Sequence, residues 1–149
     1  MAAPFAPGIY VATLRSSELV PVTQDPRYVR TCARVSCSNV KVGKARNLSL
    51  RERNYWKDFG EANVSFLAIA LTQDIQAAET AVLRSLRPYR KRSPRGGMMD
   101  WLQDIAVDDA IAAMLEAMSN LLPACNIQQA PSRKYKCLDR SGGRQTNDI

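Results

Sequence analysis

A glutamate on the apolar face of a predicted helix is the first candidate for chemistry in this sequence. The segment from Gln73 to Leu86 has apolar residues at helical spacing, and Glu79 falls among them, between Ile75 and Leu83. A carboxylate on a buried face must be paired, protonated or bound to a cation. The pattern leaves two interpretations open. One is a salt bridge at the edge of the face, for example to Arg51, and the other is a ligand for Mg²⁺, which often takes only one or two protein carboxylates.

An arginine occupies an unfavourable place in the preceding helix. Ser49 and Glu52 fit a capping box, which predicts a helix from about Leu50 to Phe59. Arg51 then lies in the first turn, where the helix dipole favours negative charge. A guanidinium beside the free amides of a helix start is suited to binding a phosphate, although a solvated arginine beside a glutamate is the commoner outcome. Tyr55 lies on the same helical face, where an aromatic residue is more often part of a core than a catalyst.

The absence of histidine narrows the chemistry further. A chain with no imidazole cannot run a Ser-His or Cys-His mechanism or build a histidine-containing metal site. Proton transfer must therefore use Tyr, Lys, Glu, Asp or Cys. The four cysteines, at positions 32, 37, 125 and 137, are spaced C-x4-C and C-x11-C, and only the first pair approaches the spacing of a tetrathiolate zinc site. Reduced thiols are the expectation, with structural zinc as the lesser alternative.

The charge balance favours a polyanionic partner. The chain has 21 Lys and Arg against 14 Asp and Glu, a formal net charge of +7, which suits nucleic acid or an acidic membrane surface. No apolar stretch is long enough to span a bilayer, and the first residues lack the pattern of a signal peptide. The sequence therefore predicts a cytoplasmic protein. Its pattern does not specify an oligomeric state. The densest basic cluster comprises Arg84, Arg87, Arg90, Lys91, Arg92 and Arg95. A charge run is usually a solvated face, but beside a phosphodiester site this one would be a track for DNA, single- or double-stranded.

The elements that must position these residues follow from the pattern of apolar residues and breakers. The predicted strands are Gly8–Leu14, Asn39–Val42 and Ala62–Leu71, and the predicted helices are Leu50–Phe59, Gln73–Leu86 with Thr72 as its cap, and Asp108–Leu122; Met98–Ile105 is a short helix or strand. This order predicts an α/β (α+β) domain with a small three-stranded, mainly antiparallel sheet flanked by helices. The division is residues 1–106 as the domain, with a basic insert at 15–38 that is a hairpin or a loop, and residues 107–149 as a C-terminal helix and a basic, loosely ordered tail.

Two short segments carry a family resemblance. Gly8-Ile9-Tyr10 lies in the first predicted strand, and Lys41-Val42-Gly43-Lys44 lies at the end of the second, with Arg51 eight residues after Gly43. Together they resemble the signature of the GIY-YIG nucleases, with KVGK as the second motif. The resemblance covers about residues 8 to 105. It implies the GIY-YIG fold and a metal-dependent endonuclease that hydrolyses phosphodiester bonds in DNA.

The resemblance also implies a role for each matched residue. Glu79 corresponds to the metal-binding glutamate and would hold Mg²⁺ or Mn²⁺ against a phosphate oxygen, while Arg51 corresponds to the catalytic arginine and would bind the same phosphate. Tyr10 would be the general base or orient the attacking water, with a phenol pKa lowered by Lys41, Lys44 or Arg51. Tyr55 matches a position that holds His or Tyr in relatives and would share that role.

Two departures from the family pattern keep other functions open. Lys41 stands where relatives commonly have Tyr, either as a cation that depresses the pKa of Tyr10 or as an exposed strand residue. The family's late asparagine has no counterpart, and Asp100 lies in roughly that region as a partner, a metal contact or a helix cap. The alternatives are a catalytically impaired module that only binds nucleic acid, and a basic adaptor that binds a protein through the amphipathic helix Asp108–Leu122.

Overall fold

The fold was analysed in a computed structural model, which describes residues 2–28, 31–72, 74–93, 97–121, 136–138 and 144–146. The strands are β1 (Gly8–Leu14), β2 (Glu18–Pro21), β3 (Cys32–Val35), β4 (Asn39–Ala45), β5 (Val64–Ala70), β6 (Trp101–Gln103), β7 (Lys136–Leu138) and β8 (Arg144–Thr146). The helices are α1 (Leu48–Phe59), α2 (Ile75–Ser85) and α3 (Val107–Leu121), with single 3₁₀ turns at Glu61–Asn63 and Arg87–Tyr89.

The main sheet has four antiparallel strands in the order β5-β1-β4-β6. The predicted mixed α/β class is confirmed, and β1 has the predicted bounds. The expected three-stranded sheet is wrong in number, because β6 adds a fourth strand by pairing with residues Asn39–Lys41 of β4. A three-residue strand after a loop carries too little pattern to be separated from a short helix. The GIY-YIG-like arrangement itself stays a prediction.

The central strand β1 separates two layers of the core. Every residue of β1 is buried, and alternate side chains point to opposite faces of a strand. Ile9 and Val11 pack with α2 and α3 on one face, whereas Tyr10 and Ala12 pack with α1 and the insert on the other. Burial on both faces explains why this strand reads as a continuous apolar run.

Helix α1 begins two residues earlier than predicted. Its N-cap is Asn47, whose side chain accepts a hydrogen bond from the amide of Leu50 at 3.2 Å. The predicted capping box is wrong, because Ser49 is buried inside the helix and Glu52 accepts a hydrogen bond from the amide of Ala3 at 3.0 Å. The sequence offers both Asn47 and Ser49 as caps, and only the tertiary contacts decide between them. The helix ends at Gly60, as predicted.

Helices α2 and α3 pack together against β1 and β4. Asp74, not the predicted Thr72, caps α2 by accepting hydrogen bonds from two amides of its first turn at 3.0 and 3.2 Å. Helix α3 matches the predicted C-terminal helix within one residue. Its residues Ala110, Met114 and Met118 are fully buried in the core shared with α2. The apolar face of α3 is thus covered within the chain.

The insert between β1 and β4 forms a hairpin in its described part. Strands β2 and β3 pair antiparallel, with Glu18 opposite Val35. Val20 and Val35 are buried and join the core on the α1 side of the sheet. The hairpin therefore belongs to the domain core, which decides between the two alternatives for this segment. Most of the predicted loose tail lies outside the described residues. Its described part consists of strands β7 and β8, which pair with each other.

Candidate active site

The two motif segments meet at the pair Tyr10 and Gly43, which lie opposite each other on β1 and β4. A Cβ atom at Gly43 would lie 2.5 Å from the Tyr10 hydroxyl oxygen and 2.6 Å from its Cζ atom. The ring of Tyr10 therefore crosses β4 at the one place where no side chain blocks it. Its hydroxyl lies 3.1 Å from the hydroxyl of Tyr55 on α1, within hydrogen-bond distance. Gly43 thus makes the contact between the two tyrosines possible.

Aromatic packing holds both rings in place. Tyr10 stacks on Phe66 of β5 with ring centroids 4.8 Å apart, and Tyr55 meets Tyr10 edge-on at 5.7 Å. Both tyrosines are buried. The sequence prediction missed Phe66, because nothing in its local pattern distinguishes it from an ordinary strand residue. The two hydroxyls therefore contact each other within a buried aromatic cluster.

Burial dominates the ionisation of these tyrosines. It raises the pKa of Tyr10 above the usual 10.0, although the hydrogen bond to Tyr55 and the charge of Arg51 act in the opposite direction. The pKa of Tyr55 is raised well above its usual value, again chiefly by burial. The expected lowering of the Tyr10 pKa by Lys41, Lys44 or Arg51 is therefore wrong. Desolvation is a tertiary effect that no local pattern reveals, and both phenols keep their protons at neutral pH.

Lys41 is a half-buried residue of β4, not an exposed one. It lies opposite Ala12 on one side and Trp101 on the other. Burial lowers the pKa of Lys41 below 10.5, and Arg51 lowers it further, while the carboxylates of Asp100 and Glu79 act against this. Among the ion pairs between described residues, none involves Lys41. A half-buried amine without a paired carboxylate loses its proton more readily than a surface lysine.

Glu79 lies on α2, on the helix predicted to carry it, and is partly buried. Its side chain is 19% exposed, and its Oε1 lies 3.6 Å from the Nζ of Lys44. Lys44 also donates a hydrogen bond to the side chain of Gln76, one turn earlier on the same helix. The partner of Glu79 is thus Lys44 and not Arg51. Sequence spacing could not identify this partner, because the two residues come together only when α2 packs on β4.

The donor set near Glu79 fits one kind of metal ion. Within the described residues, no three or more His, Cys, Asp or Glu side chains converge on one point. This excludes an all-protein cage there, but Mg²⁺ commonly uses one or two carboxylates and completes its shell with water and phosphate oxygens. Glu79 faces a groove that water and phosphate can enter. The single carboxylate of Glu79 therefore suits Mg²⁺ or Mn²⁺ and no thiolate-bound metal.

Arg51 is exposed on α1, on the same side of the sheet as the tyrosines. Because α1 begins at Leu48, Arg51 is the fourth helical residue, and its amide already donates to the carbonyl of Asn47 at 3.1 Å. Arg51 therefore lies at the end of the first turn, where the helix dipole acts more weakly than at the helix start. Its charge nevertheless acts on Tyr10, Tyr55 and Lys41. Arg51 is thus close to the tyrosine pair and free to bind an anion.

Side chains from both faces of the sheet can reach the open edge of β4. Strand β6 pairs with β4 only as far as Lys41, so residues 42–45 have no described partner on that side. Glu79 packs on one face of the sheet and Tyr10 on the other, yet the charge of Glu79 acts on both Tyr10 and Lys41. Groups from β1, β4, α1 and α2 therefore surround this edge.

A basic groove lies along α2 and the segment that follows it. Its volume is about 790 Å³. The residues that line it include Glu79, Thr80 and four arginines of the predicted cluster, Arg84, Arg87, Arg90 and Arg92. Lys91 is exposed but does not line the groove, and Arg95 lies outside the described residues. Most of the predicted nucleic-acid-binding cluster is therefore next to the predicted metal ligand.

Asp100 is bound to the insert, and the two cysteines of the first pair differ from each other. Asp100 caps no helix; its side chain accepts a hydrogen bond from the amide of Gln24 in the insert at 3.0 Å. Cys32 is an exposed free thiol, whereas Cys37 is buried and disulfide-bonded. The C-x4-C pair does not form a shared thiolate site, and the expectation of reduced thiols is wrong for Cys37.

Comparisons with known proteins identified no relative of this chain. No family model matched the sequence, and neither a curated protein nor a solved structure matched it significantly. The GIY-YIG resemblance is therefore still a prediction based on the motif residues. In the part of the chain that the structure describes, no helix has the length and apolar character needed to cross a bilayer.

Proposed function

We propose that this protein is a metal-dependent endonuclease of the GIY-YIG type that hydrolyses phosphodiester bonds in DNA. The observation that carries the proposal is the convergence at one sheet edge of residues from separate elements. Tyr10 of β1 crosses Gly43 of β4 and its hydroxyl lies 3.1 Å from that of Tyr55 of α1. Glu79 of α2 lies 3.6 Å from Lys44 of β4. The charges of Arg51 and Glu79 also act on Tyr10 and Lys41. A groove with four arginines begins at Glu79. Such a groove suits a polyanionic chain passing over the site.

The charged residues have different roles in binding the phosphate. Arg51 is exposed beside the tyrosine pair and binds the non-bridging oxygens of the reacting phosphate through its planar fork. Glu79 would hold Mg²⁺ or Mn²⁺, which would neutralise charge that develops on the phosphate. Lys44, 3.6 Å from Glu79, keeps that carboxylate oriented toward the edge of β4. These groups supply electrostatic stabilisation from fixed positions.

The attacking water needs a group that orients it and a group that takes its proton. Tyr10 keeps its proton, since burial raises its pKa, so its hydroxyl is better suited to orienting the water than to acting as the base. Lys41 has a lowered pKa and lies on the neighbouring strand. We assign Lys41 as the proton acceptor. Lys41 stands where relatives commonly have Tyr in the second motif, and with this role the difference is compatible with DNA cleavage.

The pH profile of cleavage distinguishes Lys41 from Tyr10 as the group that accepts the proton. Because the active form of Lys41 is the neutral amine, the cleavage rate should rise about tenfold per pH unit and level off below the ordinary lysine pKa of 10.5. The groups that act on Lys41 are Asp100, Arg51 and Glu79. A Lys41→Met variant should lose this plateau and most of its rate, and the exposed Lys57→Met variant should keep both. A rate that still rises above pH 10.5 would assign the base to a tyrosine.

The arginine groove predicts a defined salt dependence. Replacing both Arg84 and Arg87 with Gln should weaken binding to duplex DNA, and the slope of log affinity against log salt should fall by about 0.9 for each phosphate that is no longer neutralised. Fluorescence anisotropy from 50 to 200 mM salt measures this slope. The matched control replaces Arg53 and Lys57, which are exposed on α1 away from the groove. An unchanged slope in the groove variant would remove the DNA track from the proposal.

A direct assay tests the function as a whole. Purified protein is incubated with single- and double-stranded DNA in Mg²⁺, Mn²⁺ or EDTA, and the products are separated on a denaturing gel. The expected result is cleavage with either metal and none in EDTA. Intact DNA under all conditions would overturn the proposal.

One contact favours a second candidate function. Lys44 Nζ already lies 3.6 Å from the Glu79 carboxylate, where a divalent ion would also have to bind. A module that binds nucleic acid without cleaving it is therefore the alternative, and the metal assay separates the two. The third possibility, an adaptor that binds through α3, has no supporting observation, because the buried residues of that helix pack inside the domain.

A further inference from the structure

A second cavity lies between the insert and the segment that leads into β6. We call it the insert pocket. Its volume is about 390 Å³, within the range of roughly 300–1,000 Å³ that is typical of small-molecule sites. Its lining includes Thr23 and Tyr28 of the insert and Asp100 before β6. Arg90 and Arg92 line both this pocket and the basic groove, so the two adjoin.

The insert contributes an aromatic wall to the pocket. Tyr28 is half-buried, and its ring packs closely on Gly97, where a Cβ atom would lie 2.9 Å from two ring carbons. The neighbouring Arg27 is bound to Asp25 at 2.6 Å, and its guanidinium lies 5.7 Å from the centre of the Tyr28 ring. This ion pair adds little net charge. An aromatic ring in a pocket of net positive charge suits a ligand that is both planar and anionic.

Asp100 fixes the pocket in place and connects it to the candidate active site. Its amide donates to the carbonyl of Val22 at 2.9 Å, and its carboxylate accepts from the amide of Gln24 at 3.0 Å. Val22 itself is buried. The same carboxylate acts electrostatically on Tyr10 and Lys41. The wall of the insert pocket at Asp100 is therefore held in place by hydrogen bonds to the insert, and the charge of Asp100 reaches the candidate active site.

We propose that the insert pocket binds one unstacked nucleotide of the DNA strand, next to the phosphodiester bond that is cleaved. Tyr28 contacts the base, while Arg90 and Arg92 bind the flanking phosphates. The position of this nucleotide relative to the cleaved bond rests on the proposed nuclease function; its binding does not. A base reaches such a pocket readily only where it is unpaired, because extraction from a duplex costs unstacking energy. The substrate class is thus single-stranded or locally unpaired DNA.

The first test measures binding in EDTA, where no metal-dependent cleavage interferes. Fluorescence anisotropy is recorded with a labelled single strand and with a blunt duplex of the same sequence. Tyr28→Ala should weaken single-strand binding about tenfold and duplex binding less than twofold. Tyr28→Phe, which keeps the ring, should bind both within twofold of the wild type. Equal losses on the two DNAs, or no loss on the single strand, would overturn the pocket.

The second test uses the wild-type protein and so does not depend on the folding of a variant. A series of seven-nucleotide strands carries one 2-aminopurine at each position in turn, and acrylamide quenching is measured in the complex. One position should be shielded at least threefold more than its neighbours. Uniform quenching along the strand would overturn the proposal. Because both tests are run in EDTA, a protein that fails to cleave DNA can still pass them, and a working nuclease can still fail them.

Discussion

Replacing Glu79 with Gln is expected to lower the rate of DNA cleavage about a thousandfold while leaving the fold intact. The change removes the only acidic residue among the described residues that line the basic groove and, with it, the proposed ligand for Mg²⁺ or Mn²⁺. Metal stabilisation of developing charge is worth several kcal/mol, and about 4 kcal/mol corresponds to a thousandfold in rate. Single-turnover cleavage of a labelled oligonucleotide measures the loss. Affinity for DNA in EDTA should stay equal or rise slightly, since a negative charge is removed.

A matched substitution shows whether the effect is local. Glu116 is an exposed glutamate on α3, so Glu116→Gln makes the same chemical change away from the site. This control should cleave at the wild-type rate, and both variants should show wild-type melting temperatures. Cleavage by Glu79→Gln within tenfold of the wild type would exclude Glu79 as the metal ligand.

Replacing Gly43 with Ala should destabilise the protein by about 1–3 kcal/mol and lower cleavage about a hundredfold. The added Cβ would lie 2.5 Å from the Tyr10 hydroxyl oxygen, so the ring must move within a packed core. The β propensity that Ala gains over Gly stays within about 1 kcal/mol and does not offset this. A displacement of about 1 Å at a catalytic group is enough for a hundredfold loss. Denaturant unfolding and the cleavage assay measure the two effects.

A double-mutant cycle assigns the cost to the contact with Tyr10. In a Tyr10→Ala background the space is already free, so Gly43→Ala should change the unfolding free energy by less than about 0.5 kcal/mol. Gly60→Ala is the control for activity, because nothing lies within 4 Å of its added Cβ while its positive φ makes the change destabilising. This control should lose stability but keep its cleavage rate. The same cost of Gly43→Ala in both backgrounds would contradict the steric explanation.

The features predicted well from sequence are those that local residues determine. The strand Gly8–Leu14 is correct at both ends, because an apolar run between breakers specifies a strand buried on both faces. Helix α3 begins at Val107, one residue before the predicted start at Asp108, because its apolar residues recur at helical spacing. The helical spacing also predicts Glu79 on the apolar face of its helix, and its side chain is 19% exposed.

What could not be predicted depends on contacts between distant segments. The predicted helix caps are wrong because neighbouring Ser, Thr, Asn and Asp residues compete, and packing chooses among them. The predicted direction of the Tyr10 pKa shift is wrong because the core removes water from its phenol, which outweighs one nearby arginine. The pairing of Glu79 with Lys44 and the insert pocket both join segments far apart in the chain. The spacing of apolar residues along the chain carries no information about contacts between distant segments.

The insert lies in a connection that can be exchanged during evolution. It leaves β1 and returns to β4, and these strands pair antiparallel, so its two ends lie side by side, with Thr13 hydrogen-bonded to the carbonyl of Asn39 at 2.9 Å. A segment with neighbouring ends can be lengthened, shortened or replaced without moving the strands that flank it. The residues proposed to cleave DNA lie outside this segment, whereas Tyr28 lies within it. If the proposed function holds, selection can alter the insert side of the pocket without moving the residues proposed for cleavage.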